Sequence, residues 1–297
     1  MHSRQSETDQ PRPGSPGTLY IVATPIGNLE DITFRAVRIL KEVKIIAAED
    51  TRHTGKLLSH YMIKNSLVSC HEHNEEGRIP EFILRLKQGD DIALVSDAGT
   101  PSVSDPGYRL IKACAEQGIR VIPVPGPSAA VAGLSVCGLA TDSFLFLGFL
   151  PRKSGKRRNL LESLKDERAT LVLYESPRRI LALLAEIVEA MGDRPGMLAR
   201  EITKIHEEYL RGNLSDISDT LKARMSVKGE CALFVSGAGG VTGPLVSEEG
   251  LDHEILTALQ GQGQRQKNSA LAKALAKRFN LHRKTVYDRI LELQDRE

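Results

Sequence analysis

The stretch DIALVSDAGTPSVSDPGYRLIKACAEQG, residues 91–118, decides the fold class. Its first part, DIALV, is a short apolar run of the kind that forms a buried strand. SDAGTPSVSDPG, residues 96–107, follows as a loop of glycine, proline and serine. Asp105 is expected to cap the next helix, with Pro106 at its first position and Gly118 at its close. A strand that passes through a glycine-bearing loop into a helix is the repeating unit of a parallel α/β sheet.

The same order recurs on both sides. Upstream, LYIVAT (19–24) reads as a strand, DITFRAVRILKEV (31–43) as a helix and KIIAAED (44–50) as a strand ending in charge. Ile32, Ala36, Ile39, Leu40 and Val43 fall on one face of that helix. IPEFILRLKQG (79–89) is a helix closed by Gly89. Downstream come a strand, RVIPVPG (120–126), and a helix of small residues, PSAAVAGLSVCG (127–138). After a break at 139–142 a second series begins: SFLFLGFLP (143–151), a basic helix over 152–168, TLVLYES (170–176), a helix over 177–191, GMLAREIT (196–203) and ECALFVSGAG (230–239). The expected organisation is a disordered leader over 1–17, α/β domains over 18–140 and 141–242, and a linker plus basic helical module over 243–297, with the linker read over 240–252.

Composition narrows the class. The chain has 297 residues, 41% of them hydrophobic, which excludes disorder for the chain as a whole. No apolar run reaches the ~18 residues of a membrane span, and the N-terminus lacks the order of a signal peptide. Cys70, Cys114, Cys137 and Cys231 lie far apart, which argues against a disulfide framework and a thiolate metal site. A cytoplasmic protein is expected. Charge is uneven: residues 264–289 carry eight basic side chains and one acid, on a mildly acidic body. Such asymmetry marks a part that faces a polyanion, the alternative being a solvated helix face.

Four strand ends run into loops of similar character: residues 24–29, 96–107, 124–129 and 173–179. Glycine lets a backbone approach a flat ligand, proline fixes the loop shape, and ligands of open α/β sheets bind outside the carboxyl ends of strands. No loop matches GxGxxG with its distal acid, GxxxxGK[ST] or GxSxG, so a nicotinamide site, a nucleotide P-loop and a nucleophile elbow are disfavoured.

Taken in order, LYIVATPIGNLEDITFRA, AAEDTRHT, VSDAGTPSVSDPG, VPGPSAAVAGL and YESPRR resemble the tetrapyrrole methylase superfamily, and within it the branch that methylates ribosomal RNA. The resemblance covers nearly the whole chain from Thr18. The chain carries TPIGN and AGTP where tetrapyrrole-modifying members show a glycine-rich first loop and a GGDP-type second loop, which sets it apart from enzymes of porphyrin-like substrates. The resemblance implies a two-domain (class III) methyltransferase, with S-adenosylmethionine (AdoMet) folded into the cleft between its domains, acting as a homodimer. It implies methyl transfer to the 2′-oxygen of a cytidine in the decoding centre of 16S rRNA, within the small ribosomal subunit. Carried over by position, the cofactor residues are Ile26, Gly27, Thr100, Pro101, Ser102, Val103, Ser128, Ala129, Tyr174, Glu175, Phe234 and Val235.

A ribose hydroxyl is a poor nucleophile, so a general base or a cation for the developing alkoxide is expected. Glu49-Asp50-Thr51-Arg52-His53, at a strand end, offers both: Asp50 or Glu49 to accept the proton, and Arg52 to hold a phosphate or the alkoxide. In the other reading Glu49 and Asp50 cap the next helix and pair with Arg52. His71-Glu72-His73-Asn74-Glu75 invites a metal, but with no HExxH helix and no thiolate a polar loop is preferred and no metal is expected. Arg152, Lys153, Lys156, Arg157, Arg158, Arg178 and Arg179 are candidates for RNA phosphates. Arg200, Glu201, Lys204 and Glu207 either form an ion-pair lattice or line an RNA channel.

LAKRFNLHRKTVYDRIL (275–291) has a helix-turn-helix-like pattern, with Ala276 in its first helix, Asn280 at the turn and Val286 packing the second helix on the first. Arg283, Lys284 and Tyr287 then face outward, with Arg283 and Lys284 as RNA-binding candidates. In DNA-binding versions the second helix enters a major groove, which in A-form RNA is too narrow, so an RNA-docking appendage is expected. Two other functions fit parts of the pattern: a C-methyltransferase of a tetrapyrrole or corrinoid precursor, and a helix-turn-helix DNA-binding regulator.

Overall fold

The computed structural model describes residues 15–239, 248–261, 268–279 and 283–294. They group into two compact units, Met1–Ala132 with Ile202–Ile205, and Gly133–Glu201 with His206–Glu297.

The first unit alternates β1 (Leu19–Val22), α1 (Phe34–Glu42), β2 (Ile45–Ala48), α2 (Thr51–His60), β3 (Leu67–Ser69), α3 (Glu75–Lys87), β4 (Ile92–Val95), α4 (Tyr108–Glu116) and β5 (Val121–Val124), with α5 (Ala129–Val136) after them. Its sheet runs β3-β2-β4-β1-β5 and all pairings are parallel. Alternate residues of each strand feed opposite cores, because a strand's side chains point up and down in turn. Leu19, Ile21, Ile45, Ala47, Ile92 and Leu94 pack with Phe82, Leu86, Leu110 and Cys114 of α3 and α4. Val22, Ile46, Ala48, Ala93 and Val95 pack with Ala36, Ile39, Leu40 and Leu58 of α1 and α2. A sheet buried on both faces needs near-continuous apolar strands, and LYIV, IIAA and IALV supply them.

The chain leaves β1 toward β2 and leaves β4 toward β5, so these neighbours send their connections in opposite directions. That is the switch point of an open parallel sheet, the place where ligands bind. The expected cap of α4 is corrected here. The N-cap is Gly107, not Asp105, and its φ of +129° is open to glycine alone. An added Cβ there would also lie 2.7 Å from Leu94 Cδ2. Pro106 therefore lies before the helix rather than at its first position. The end of the expected leader is part of the fold. Gly17 is buried and its N–H donates to Leu86 O at 2.7 Å, while residues 1–14 lie outside the described ones.

The second unit contains β6 (Phe144–Phe149), α6 (Ser154–Ser163), β7 (Thr170–Glu175), α7 (Ile180–Met191), β8 (Pro195–Arg200), β9 (Glu208–Asn213), α8 (Leu214–Lys222) and β10 (Cys231–Val235). Its sheet runs β6-β7-β10-β8-β9. Only β6 and β7 are parallel, and the other three pairings are antiparallel. The repeated strand-helix order therefore misleads here. β9 and α8 escape the sequence reading because EYLRGN, on the sheet edge, is half-buried and has no apolar alternation. Leu171, Leu173, Leu198, Leu233 and Val235 pack under Leu161, Ile180, Leu183, Leu184, Ile187, Ile217 and Leu221 of the helices.

Three further helices follow: α9 (Glu248–Gly261), α10 (Asn268–Phe279) and α11 (Arg283–Gln294). The end of the expected linker, residues 248–252, is the first part of α9, and residues 240–247 lie outside the described ones. Leu251, Ile255, Leu271, Leu275, Ala276, Val286 and Ile290 form a separate apolar cluster. Ala276 and Val286 thus meet in one core, Lys284 is exposed, and the turn placed at Asn280 lies outside the described residues.

Candidate functional site

Because the first sheet is wholly parallel, every strand delivers its C-terminal loop to one edge. At the switch point the loops after β1 and β4 are tied together. Thr24 N–H donates to Gly99 O at 2.8 Å, Gly99 N–H donates back to Thr24 O at 3.0 Å, and Thr24 Oγ1 donates to Ser96 O at 3.1 Å. The loop before α5 joins them: a Cβ placed on Gly99 would sit 3.6 Å from Ile26 Cγ2 and 3.9 Å from Pro127 O. Ile26, Gly99, Thr100 and Pro127 are therefore one cluster assembled from three loops. Ser102 and Ser104 carry φ of +67° and +66°, and Ser102 N–H donates to Pro106 O at 3.1 Å. Two non-glycine residues held in the left-handed region signal a loop shape imposed by its surroundings. Pro101 is buried, Val103 is exposed and Thr100, Ser102, Ser128 and Ala129 are half-buried. Gly27 is packed by residues 202–205, leaving no room for a Cβ beside the Lys204 side chain, and Asn28 N–H donates to Thr203 Oγ1. The hydroxyls of Thr100, Ser102 and Ser128 beside apolar Ile26, Val103 and Ala129 form a donor set suited to a nucleoside with a polar tail.

The four residues of the second unit divide by pairing. Tyr174 opposes Ala232 and Phe234 opposes Val172, so both lie on the sheet face turned away from α6, α7 and α8. Glu175 opposes Cys231 and Val235 opposes Leu171, on the helix-covered face. Tyr174 meets Phe146 and Phe149 edge-on. Phe234 and Val235 are fully buried in the central strand, which is paired with β7 on one side and β8 on the other. Buried Glu175 accepts from Ser176 N–H and from Arg179, holding the YESPRR turn.

At the ends of β2 and β4, Asp97 N–H donates to Glu49 Oε2 at 3.3 Å and Asp50 N–H donates to Asp97 Oδ1 at 3.1 Å. Asp50 caps α2 through Arg52 N–H and pairs with the Arg52 guanidinium at 2.8 Å. That guanidinium holds the Asp50 carboxyl well below the usual carboxylate range. Burial raises Glu49, and the Asp97 N–H that donates to its carboxylate opposes the rise. Asp105 is pushed up to about 6, first by burial and then by the Glu49 charge. Asp97 and Asp105 were missed by the sequence reading. Their signal is the two acids of SDAGTPSVSDPG, of which Asp105 reads locally as a helix cap.

The HEHNE stretch is a connector. Asn74 Oδ1 accepts from His71 N–H, and buried Glu75 accepts the Leu110 N–H in the first turn of α4. Among the described residues no group of three or more His, Cys, Asp or Glu could hold a metal ion.

The proposed RNA cations separate by exposure. Arg152, Lys153, Lys156, Arg178 and Lys284 are exposed. Arg157 is committed to the fold: it is 9% exposed, with Nη2 donating to Glu186 Oε1 at 2.6 Å and Nη1 to the carbonyls of Pro151 and Arg152. Arg158 lies 3.5 Å from Glu189, and Arg179 lies 2.6 Å from Glu175. The side chain of Arg283 lies outside the described residues. Around Arg200 there is an ion-pair lattice, in which Glu208 accepts from Arg200 and Arg224. Those two cations hold Glu208 down at about 2.

Residues 18–218 match the family described as Tetrapyrrole (Corrin/Porphyrin) Methylases. A protein of Synechocystis named Ribosomal RNA small subunit methyltransferase I is 47% identical over 94% of this chain and 99% of its own length. One of the same name from Pseudomonas aeruginosa is 45% identical over 82% of this chain and 86% of its own. Among solved structures, a uroporphyrin-III-C-methyltransferase of Thermus thermophilus shares the fold with a TM-score of 0.54 and 23% identity, over 74% of this chain and 94% of that one. A diphthine synthase does so with a TM-score of 0.58 and 14% identity, over 74% and 90%.

Proposed function

The chain belongs to the tetrapyrrole (corrin/porphyrin) methylase family, and from that premise we propose that it is an AdoMet-dependent methyltransferase of small-subunit ribosomal RNA. Its target is the 2′-oxygen of a cytidine ribose in the decoding centre, and it acts in the cytoplasm as a homodimer. The observation that carries this reading is the near-full-length likeness to relatives named as ribosomal RNA small subunit methyltransferases. The loop cluster at the switch point supports a nucleoside-containing donor there. When bound, AdoMet supplies an activated methyl group on a sulfonium, so the protein's share is positioning and exclusion of water.

Ile26, Gly27, Thr100, Pro101, Ser102, Val103, Ser128 and Ala129 are the proposed cofactor residues of the first unit. Tyr174, Glu175, Phe234 and Val235 are those of the second. For proton acceptance the reading settles on Glu49. A carboxyl whose affinity for a proton is raised takes one more readily than Asp50, whose affinity Arg52 lowers. Asp50 then orients Arg52, and the exposed guanidinium is free at its outer edge to meet a phosphate or an alkoxide. Arg152, Lys153, Lys156, Arg158, Arg178, Arg179, Arg283 and Lys284 are the proposed RNA contacts.

The test is transfer of label from radiolabelled AdoMet, offered separately with unmodified small subunits, naked rRNA and a tetrapyrrole precursor. Label on one ribose of the small subunit is expected. Label on the tetrapyrrole, or on nothing, overturns the reading.

A further inference from the structure

The face of the second sheet turned away from its helices carries an aromatic patch, and a break in strand register builds it. Along β6, Leu145 and Leu147 pack against the helix-side core, and alternation sends Phe144 and Phe146 to the other face. Strict alternation would then return Phe149 to the core beside Leu145 and Leu147. Instead the register shifts between Phe146 and Gly148, and Leu147 is passed over in the pairing with β7. Gly148 takes a φ of +58° there, and Phe149 comes to lie opposite Tyr174. A bulge re-aims a side chain in just this manner.

Three of the seven phenylalanines and one of the six tyrosines, in a chain without tryptophan, thus share one small surface. Tyr174 stands at its centre, edge-on at 5.2 Å from Phe146 and 5.7 Å from Phe149. Gly133 of α5 covers the part of this face occupied by the Phe234 ring. The β6 part is open, with Phe144 48% and Phe149 57% exposed.

Charge beside the patch is one-sided. β6 and β7 are parallel, so the chain leaves both at the same edge, next to Phe149 and Tyr174. Just beyond lie Arg152, Lys153 and Lys156 on one connection and Arg178 on the other. All four are exposed, and none has an ion-pair partner among the described residues. The neighbouring acids each have a cation of their own: Glu175 pairs with Arg179, Glu186 with Arg157 and Glu189 with Arg158. Asp142 lies at the opposite end of β6, and Glu162 in the last turn of α6.

We propose that this patch is a stacking platform for an unpaired base of the RNA substrate, with Phe149 as the ring that meets the base and the four free cations holding the adjoining phosphates. The proposal rests on the RNA reading above and adds to it the state of the RNA at the contact. A base offers its face to a side chain only where the strand is unpaired and unstacked. Aromatic faces beside uncompensated cations are the combination that binds such strands, the rings taking the bases and the cations the backbone. Tyr174, one of the proposed cofactor residues, supports the Phe149 ring, so the stacked base lies close to the methyl acceptor.

The experiment compares the full-length wild type with Phe149→Ala, Phe149→Leu and Phe149→Trp. Affinity for unmodified small subunits, AdoMet affinity by calorimetry and oligomeric state by sedimentation are measured for each. Leucine keeps apolar area and removes the aromatic face, whereas tryptophan keeps the face. The alanine and leucine variants are expected to lose roughly tenfold to a hundredfold in subunit affinity, as removal of one stacked base does. Their AdoMet affinity and oligomeric state should match the wild type, and the tryptophan variant should bind subunits as the wild type does. Wild-type subunit affinity in the alanine or leucine variant overturns the platform and leaves the methyltransferase reading standing. A tryptophan variant as weak as the alanine one overturns it too. So does a parallel fall in AdoMet affinity, which would set the ring against the cofactor, or a change in oligomeric state, which would set it against a second copy of the chain. If the wild type binds neither subunits nor rRNA, the RNA reading falls as well.

Discussion

In the first sheet all five strands run the same way, and their loops meet at one edge beside a switch point. In the second sheet three of four pairings are antiparallel, so the carboxyl ends of its strands are divided between two edges. The contrast explains why the same style of sequence motif means different things in the two units. In the parallel sheet a loop motif places its residues at the site. In the second sheet the strand ends do not share one edge, and Tyr174 and Glu175 lie within a strand, where alternation sends one away from the helices and the other toward them.

This contrast can be broken most forcefully at Phe234. If its ring is part of the core, Phe234→Ala should cost about 3–5 kcal/mol in a denaturant titration. A stability near that of wild type would show that the ring is not embedded as described. Next comes the strand-end pair of the first unit. Glu49→Gln is expected to lower single-turnover methylation roughly a hundredfold, with AdoMet affinity retained, whereas Asp50→Asn should act through Arg52 and weaken RNA binding as well. If Asp50→Asn alone abolished the chemical step, the two roles would have to be exchanged.

A smaller effect separates fold from RNA contact within the basic helix α6. Arg157→Ala should lose about 2 kcal/mol of stability, since it leaves Glu186 half-buried without its partner. Lys156→Ala should stay within about 0.5 kcal/mol and change only RNA affinity. The smallest differences lie in the pH profile, where the two units have opposite signs. Asp105 titrates near 6, above its ordinary 3.8, so the folded state binds more protons between those values. Its contribution to stability therefore falls as pH rises through that window, and Asp105→Asn should remove the slope. Glu208 sits at about 2, below its ordinary 4.5, so its contribution is present above that range and is lost as pH falls through it. Glu208→Gln should flatten the acid limb of a thermal melt, and an unchanged limb would mean that the Arg200 and Arg224 pairing contributes nothing.

Much of the first unit was legible because its signals are local. IALV must be buried on both faces, Ala36, Ile39 and Leu40 share one helical stripe, and the glycines and prolines of SDAGTPSVSDPG allow no regular element. Where structure and sequence differ, one cause recurs: a local signal whose partner lies elsewhere in the chain. Asp105 looks like a helix cap until Gly107 takes the only φ that admits the turn. Arg157 looks like a phosphate ligand until Glu186, from a different helix, closes on it. In the same way the acid run Glu49-Asp50 reads as two interchangeable bases, and only the burial of one and the Arg52 guanidinium beside the other make them unlike.

Composition and the spacing of apolar residues were enough to settle a two-part α/β chain with a basic helical end, because burial periodicity and turn chemistry act over a few residues. Which face of the second sheet each side chain occupies and which arginines are neutralised depended on pairings between segments far apart in the chain. Those pairings follow from strand register and from ion pairs closed across the fold, and no short window of sequence contains either.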